Sequence, residues 1–388
     1  MAAFVRFLQC AGCCFDSPSW QGPQEWSTQR NQDLWHSFEA MVSLCRSEKV
    51  ELLFLTGDLF DQDYVHKETV ERVTRSLATL KSTKIFIAPG DRDPFVATSA
   101  YRLAVWPSNV HIFSSEISCV KIPSHNITVY GAGWTAYQQE GPVLEGFQTK
   151  RDGTISMMLL HAEVKSVINT EGFIPILPEY IASSGLAYLA LGHQESWSGI
   201  QNVGETVWSD SGYLEARGFG QSGPHGVILG EIKQDSVRIE FRELGKRHYI
   251  EKTLTIPANI ETLMNKLMIE TSVEERRRDL FRIKLSGSFQ NVEALVHPLQ
   301  MLLADKFRFV EVVHNEDITN RQSGEEVDSQ LNSRVGNWDT HHTLTQLFVS
   351  RLKELQDSAV DAETHKHWQL VMKIGLAALG QGRLDDEN

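Results

Sequence analysis

The chain alternates short, almost wholly apolar runs with longer stretches of helical period. Residues 5–10 (Val-Arg-Phe-Leu-Gln-Cys), 53–55 (Leu-Phe-Leu), 85–87 (Ile-Phe-Ile), 157–160 (Met-Met-Leu-Leu) and 188–191 (Tyr-Leu-Ala-Leu) are the apolar runs. Such runs fit strands covered on both faces, as in a parallel sheet. Between the first two, Leu34, Phe38, Met41 and Leu44 recur at helical spacing over 28–48; Val70, Val73, Leu77 and Leu80 do so over 66–81. These are the crossover helices that parallel strands need. Short β-type runs fill 109–132 and 226–254. From about residue 255 the pattern becomes helix over 260–268, strand over 280–287, helix over 292–303 and strand over 307–313. Residues 315–340 are polar, and two amphipathic stretches follow. One aligns Leu344, Leu347, Phe348 and Leu355, the other Trp368, Met372, Leu376 and Leu379.

What stands at the carboxyl ends of the five apolar runs changes the picture. They deliver Cys13-Cys14-Phe15-Asp16, Gly57-Asp58-Leu59-Phe60-Asp61, Gly90-Asp91-Arg92-Asp93, His161, and Gly192-His193-Gln194-Glu195. Strand ends of an α/β sheet are where ligands bind, and five ends bearing Asp, His or Cys can converge on one rim as a binuclear metal site. Plainer readings compete. Asp58 and Asp61 suit a helix N-cap, and His161 alone would suit a satisfied core histidine. A zinc-cysteine site needs a second cysteine pair, which the chain lacks. Cys10 and Cys13 therefore read as small buried hydrophobes, and inert packing is the stronger reading even for Cys14.

The order and spacing of these ends resemble the calcineurin-like metallophosphoesterases, whose signature runs D-x-H, G-D-x-x-D, G-N-H, a lone His, then G-H-x-H. Within them the nearest likeness is the SbcD/YhaO branch, nuclease subunits of double-strand-break repair. It rests on Gly12-Cys13-Cys14-Phe15-Asp16-Ser17-Pro18, on Gly212 with Arg217, and on Gly223-Pro224-His225-Gly226, and it covers at least residues 4–245. The resemblance implies an α/β fold: a two-sheet sandwich flanked by helices over 1–250, a small α/β capping domain over 251–316, a polar linker over 317–340 and a C-terminal helical segment over 341–388. It further implies a contact of that last segment, through Leu344, Phe348, Trp368 and Met372, with an SMC-type ATPase of the SbcC/YhaN kind. DNA would be reached through that complex, with room for a homodimer. Packing of the C-terminal helices on their own domain is an equal alternative.

Carried over position by position, the family's first metal would be held by Gly12, Cys14, Asp58 and Glu195. Glycine offers no ligand atom, while Cys14 and Glu195 are weak substitutes of different softness and charge. The second metal maps to Asp58, Asp91, His161 and His193, each able to ligate a divalent ion. The family's G-N-H histidine, near the leaving group, is replaced by Arg92, which binds phosphate but gives up no proton at ordinary pH. Asp16, Asp61 and Asp93 fall in supporting positions. Two ions share an activated water and clamp the phosphodiester, so the expectation is one Mn or Zn ion per chain and weakened or absent nuclease activity. The alternative is an active Mn- or Zn-dependent DNA phosphodiesterase or exonuclease that uses Cys14 and Glu195.

Composition adds bounds. At 388 residues two or three domains are expected. The 41% hydrophobic and 22% charged content is that of an ordinary globular protein. No apolar run approaches the ~20 residues of a membrane span, the start of the chain leads straight into a strand rather than a signal peptide, and five unpaired cysteines fit a reducing cytoplasm. A net charge of −13, from 37 basic and 50 acidic residues, disfavours strong stand-alone DNA binding. The densest basic cluster, Arg276-Arg277-Arg278, is flanked by Glu274, Glu275 and Asp279 and reads as a solvated helix face. A partner supplying a basic surface would resolve the difficulty.

Overall fold

The computed structural model describes residues 4–314, apart from 24–25, 115, 139–143, 151, 167–173, 235, 256–259 and 287–292, together with Trp368. The chain divides into two compact units, Met1–Thr319 and Asn320–Asn388. Nearly all of the second lies outside the described residues, including Leu344, Phe348 and Met372 and the linker expected over 317–340. Trp368 is helical and half-buried.

Four parallel strands open the first unit: β1 (Val5–Cys10), β2 (Leu52–Leu55), β3 (Lys84–Ile87) and β4 (Val110–Ile112). Helix α1 (Ser27–Ser47) crosses from β1 to β2, α2 (Lys67–Ala78) from β2 to β3, and the short α3 (Ala100–Leu103) precedes β4. A second sheet takes β5 (Ser118–Ile122), β6 (Ile127–Gly131), β7 (Ile155–His161), β10 (Tyr188–Gly192), β11 (Gln201–Val203) and β12 (Thr206–Asp210), with β8 (Glu163–Val164), β9 (Pro175–Ile176) and α4 (Pro178–Ser184) between β7 and β10. Strands β13 (Gly226–Lys233) and β14 (Ser236–Glu243) return to complete the first sheet beside β1. The sheet orders are 14-13-1-2-3-4 and 11-12-10-7-6-5.

The apolar runs are continuous because each strand of the pair has two dry faces. Phe7, Leu52, Phe54 and Phe86 of the first sheet meet Val129, Met157, Leu159 and Tyr188 of the second in a layer between the sheets. The alternate residues Leu8, Cys10, Leu53 and Leu55 turn outward onto Leu34, Phe38, Met41, Val73 and Leu77 of the helices. Behind the second sheet, Met158, Leu160, Leu189 and Leu191 pack with Trp134, Ile176 and Ile181. This is the two-sheet sandwich flanked by helices that the resemblance implies.

Polar atoms close the gap between the sheets at one end. Gln9 of β1, fully buried, donates through Nε2 to the carbonyls of Leu191 and Ser209 at 2.8 and 2.9 Å and accepts from the Tyr188 hydroxyl. Thr56, just past β2, donates to the Leu191 carbonyl at 3.1 Å. A buried amide with every partner satisfied fixes one arrangement. Here it locks the carboxyl ends of β1 and β2 against that of β10. On the flank, Arg30 of α1 is held at 1% exposure by Asp33, Glu215 and the Ala216 carbonyl.

Beyond β14, β15 (Tyr249–Thr255), β16 (Leu280–Ser286) and β17 (Phe309–His314) form a parallel three-stranded sheet. Helices α5 (Ile260–Glu270), α6 (Val273–Arg278) and α7 (Glu293–Ala304) connect its strands, and Leu263, Leu267, Phe281, Ile283, Leu299 and Leu303 form a separate core. Tyr249 and Leu280 pack on Phe219, Ala216 and Trp26, and the Tyr249 hydroxyl donates to the Gln21 carbonyl at 2.7 Å. No helix among the described residues is long and apolar enough to cross a membrane.

Candidate metal centre

Six non-glycine residues among those described have positive φ, and four of them stand at the ends of β1, β2 and β10: Cys14 (43°), Asp16 (64°), Asp58 (54°) and His193 (129°). Such conformations cost free energy and persist where surrounding structure imposes them, commonly at functional sites. Here Arg217 secures the first turn, its Nη2 donating to the carbonyls of Cys13 and Cys14 at 2.8 and 2.7 Å.

The buried carboxylate of Asp93 joins the second and third turns. It accepts from the backbone N–H groups of Asp58 (3.0 Å), Phe60 (3.1 Å) and Gly90 (2.7 Å) and from the Tyr101 hydroxyl. Burial, then the neighbouring Asp58 charge, pushes it up to about 7 against the Tyr101, Gly90 and Phe60 donors. Asp210 does the same for the fifth turn. It accepts from Gln194 N–H and Gly212 N–H, both at 2.9 Å, and burial pushes it up to about 6. Asp16 accepts from the backbone N–H of His66 at 2.9 Å, the residue that immediately precedes α2.

These supports bring Asp91, His161 and His193 together, with one ligand atom of each within 4.8 Å of the others. His161 closes β7 at 1% exposure and is oriented at both ends. Its Nδ1–H donates to the Thr56 carbonyl at 2.9 Å, so Nε2 faces Asp91 Oδ1 at 2.8 Å. A histidine whose far nitrogen is committed to a carbonyl presents the other to a metal in a fixed tautomer. Asp91 Oδ1 also lies 3.6 Å from His193 Nδ1. Asp58 stands at the side of the trio, its Oδ1 3.5 Å from His161 Nε2.

Burial opposes charge on both members of the closest pair, and each overcomes it through the other. Burial lowers His161, but the Asp58 charge and the Asp91 hydrogen bond push it up to about 10. Burial raises Asp91, but hydrogen bonds from His161 and His193 hold it well below the usual carboxylate range. For Asp58 burial prevails over His161 and raises it. Asp91, His161 and His193, with Asp58 beside them, would offer a divalent cation two imidazole nitrogens and carboxylate oxygens, and His161 would have to give up its Nε2 proton to ligate.

Neither Cys14 nor Glu195 joins the close trio among the described residues. Cys14 is wholly buried, and burial pushes its thiol well above the usual range. Glu195 is exposed and lines an open cavity of about 360 Å³ together with Glu163, His193, Gln194 and Ser196. At Gly12 (φ +55°) a Cβ would sit 2.0 Å from Cδ1 of Tyr213, so the Tyr213 ring occupies the space a side chain would need. Arg92 extends alongside Asp58, its Nε 3.8 Å from Asp58 Oδ2 and its Nη1 3.8 Å from Asp61 Oδ2. Tyr213, Asp210 and Thr56 were not legible as site residues: none belongs to a motif, and each acts on a strand end remote in sequence.

No family model matches the chain. By sequence it is 22% identical over 251 residues to the uncharacterized metallophosphoesterase YhaO of Bacillus subtilis strain 168, covering 62% of this chain and 61% of that protein. It is 24% identical over 289 residues to the DNA double-strand break repair protein Mre11 of Sulfurisphaera tokodaii, covering 70% and 72%. The Mre11 of Saccharolobus solfataricus is 26% identical over 202 residues, covering 48% and 50%. The chain thus spans about three fifths of the length of YhaO. Among solved structures, TT1561 of Thermus thermophilus aligns with a TM-score of 0.39 at 12% identity, over 62% of this chain and all of that one. A dimetal phosphatase of Danio rerio aligns with a TM-score of 0.40 at 11% identity, over 62% and 96%. Five motifs in order on two facing sheets, together with relatives of the YhaO and Mre11 kind, support the calcineurin-like metallophosphoesterase superfamily as the one this chain resembles.

Proposed function

We propose that this chain is the metallophosphoesterase-fold subunit of a DNA-processing complex, built around one divalent ion and with little or no nuclease activity of its own. The observation that carries this is the asymmetry of the rim. Asp91, His161 and His193 converge with Asp58 beside them, while Gly12 and Cys14 face a tyrosine ring and a dry interior. When bound, a divalent ion supplies Lewis-acid polarisation of a phosphate oxygen. Asp58, Asp91, His161 and His193 would hold it, Asp93 and Asp210 would keep their turns in place, and Arg92 offers charge but no transferable proton. Activity through Cys14 and Glu195 is disfavoured, because one side chain is wholly buried and the other exposed, and neither joins the Asp91, His161 and His193 cluster.

The test is metal content on the purified full chain after Mn²⁺ loading and dialysis, with digestion of double-stranded DNA ends measured on the same sample. About one ion per chain and negligible digestion are expected. Two tightly held ions, or robust Mn²⁺-dependent digestion abolished by Asp58→Ala, would sink the reading.

The similarity to Mre11 and YhaO supports a partner of the SMC-type ATPase class, with residues 341–388 as the contact, and the acidic net charge of −13 suits a chain that meets DNA through such a partner. Phe348 and Trp368 are of the aromatic type that dominates interfaces. Removing 341–388 should abolish co-purification of such an ATPase and leave the melting transition of the first unit, which ends at Thr319, unchanged. Insoluble protein instead would mean that these helices complete the fold.

A further inference from the structure

We propose that Arg92 and Tyr213 together fill the half of the rim that a second ion would need, so that a phosphate oxyanion is gripped between one bound ion and the Arg92 guanidinium. The inference rests on the one-ion reading above and adds to it a built-in second cation and a plug.

The two oxygens of Asp58 point in different directions. Oδ1 lies 3.5 Å from Nε2 of His161, on the side of the histidine–aspartate cluster, and Oδ2 lies 3.8 Å from Nε of Arg92. One buried carboxylate therefore separates the candidate ion position from a permanent positive charge. Asp61 steadies that charge from the far side, at 3.8 Å from Nη1. These separations are too long for hydrogen bonds, so among the described residues the guanidinium is held by charge with no hydrogen bond from its side-chain N–H groups, and it is 39% exposed on the side chain. A planar fork of donors beside a metal position matches the geometry of a tetrahedral oxyanion. Only the backbone N–H of Arg92 is spent on Asp58, donating to Oδ1 at 3.2 Å, which fixes where the side chain begins.

Tyr213 supplies the second half of the argument. Its ring lies 2.0–2.8 Å from where a Gly12 Cβ would be, it is 4% exposed, and its backbone N–H donates to the Glu195 carbonyl at 3.0 Å. The ring thus packs on the first turn while the Tyr213 backbone is tied to the fifth. Restoring an acidic ligand at Gly12 alone drives a side chain into that ring. Ligand restoration and ring removal must go together.

The experiment uses the full chain and inorganic phosphate as probe. Orthophosphate binding is measured by calorimetry with Mn²⁺ present, and bound Mn²⁺ is counted for each variant. Arg92→Gln should weaken phosphate binding by about tenfold or more, since charge-assisted donors to an oxyanion are the strong kind, with the ion count and melting transition unchanged. Arg92→Lys should recover part of the loss. Gly12→Asp combined with Tyr213→Ala and Arg92→Gln should raise the ion count from one towards two, whereas Gly12→Asp alone should not. Unchanged phosphate affinity in Arg92→Gln, or two ions on the unaltered chain, overturns the proposal. The two readings fail separately: the one-ion centre falls if no Mn²⁺ binds, and the role given to Arg92 falls if phosphate binding ignores its replacement.

Discussion

Replacing His161 with alanine should weaken Mn²⁺ binding by more than about a hundredfold, a larger loss than the roughly 10–100-fold that follows removal of a group merely supporting a ligand. The reason is its position at the centre of the cluster. Its Nε2 is 2.8 Å from Asp91, 3.5 Å from Asp58 and 3.4 Å from Nδ1 of His193, so it alone approaches each of the other three proposed ligands this closely. Without it, Asp58 and Asp91 face each other across a buried gap, and each raises the other's pKa, so one carboxylate takes up a proton and ceases to attract a cation. The Thr56 carbonyl also loses its donor. Calorimetric titration of Mn²⁺ into the variant, with circular dichroism to confirm the fold, measures this. Affinity within tenfold of the parent protein would place the ion elsewhere.

Much of this architecture is legible in the amino-acid order because local pattern and burial agree. Strands β2, β7 and β10 are buried on both faces along their whole length, β1 and β3 are so apart from Arg6 and Lys84, and helix α1 runs Ser27–Ser47 where the periodicity predicts 28–48. The aspartates and histidines at strand ends are also legible, since a parallel sheet sends all its carboxyl ends to one rim. What the sequence hides is the set of long-range fits. Gln9 stitches two sheets together through Leu191 and Ser209, Tyr213 fills a space opened by a glycine two hundred residues earlier, and Asp93 ties two turns together through three backbone donors. Nothing in the local pattern distinguishes Gln9 or Tyr213 from any other Gln or Tyr, and Asp93, legible as a supporting residue at its strand end, gives no sign of the turn it reaches. The arginine run 276–278 shows the same limit. Expected as a solvated face, it is only partly so. Arg276 donates to the carbonyls of Met268 and Thr271, with its guanidinium 5.9 Å from the Phe307 ring centre. A tertiary partner overrode a charge pattern that flanking acids alone would have explained.

The turn between β2 and Asp58 carries the most sensitive backbone position of the site. Gly57 has φ +93°, and a Cβ there would lie 2.2 Å from Nδ1 and 2.6 Å from Cγ of His161. Gly57→Ala therefore combines left-handed backbone strain with a steric clash against a ring that cannot retreat, because its Nδ1–H is bonded to Thr56 and its Nε2 to Asp91. Strain of this kind costs about 1–3 kcal/mol and overpacking a similar amount, so a loss of roughly 2–6 kcal/mol is expected, with Mn²⁺ binding lost as the ring is displaced. Gly153 provides the control. Its φ is +79° but nothing lies within 4 Å of the added carbon, so Gly153→Ala should show the backbone cost alone. A double-mutant cycle separates the clash: in a His161→Ala background, Gly57→Ala should fall to about the cost of Gly153→Ala. Urea denaturation of the metal-free proteins reads all four values. If Gly57→Ala is no more costly than Gly153→Ala in the parent background, the ring is not locked, and the rigid presentation of His161 to an ion is wrong.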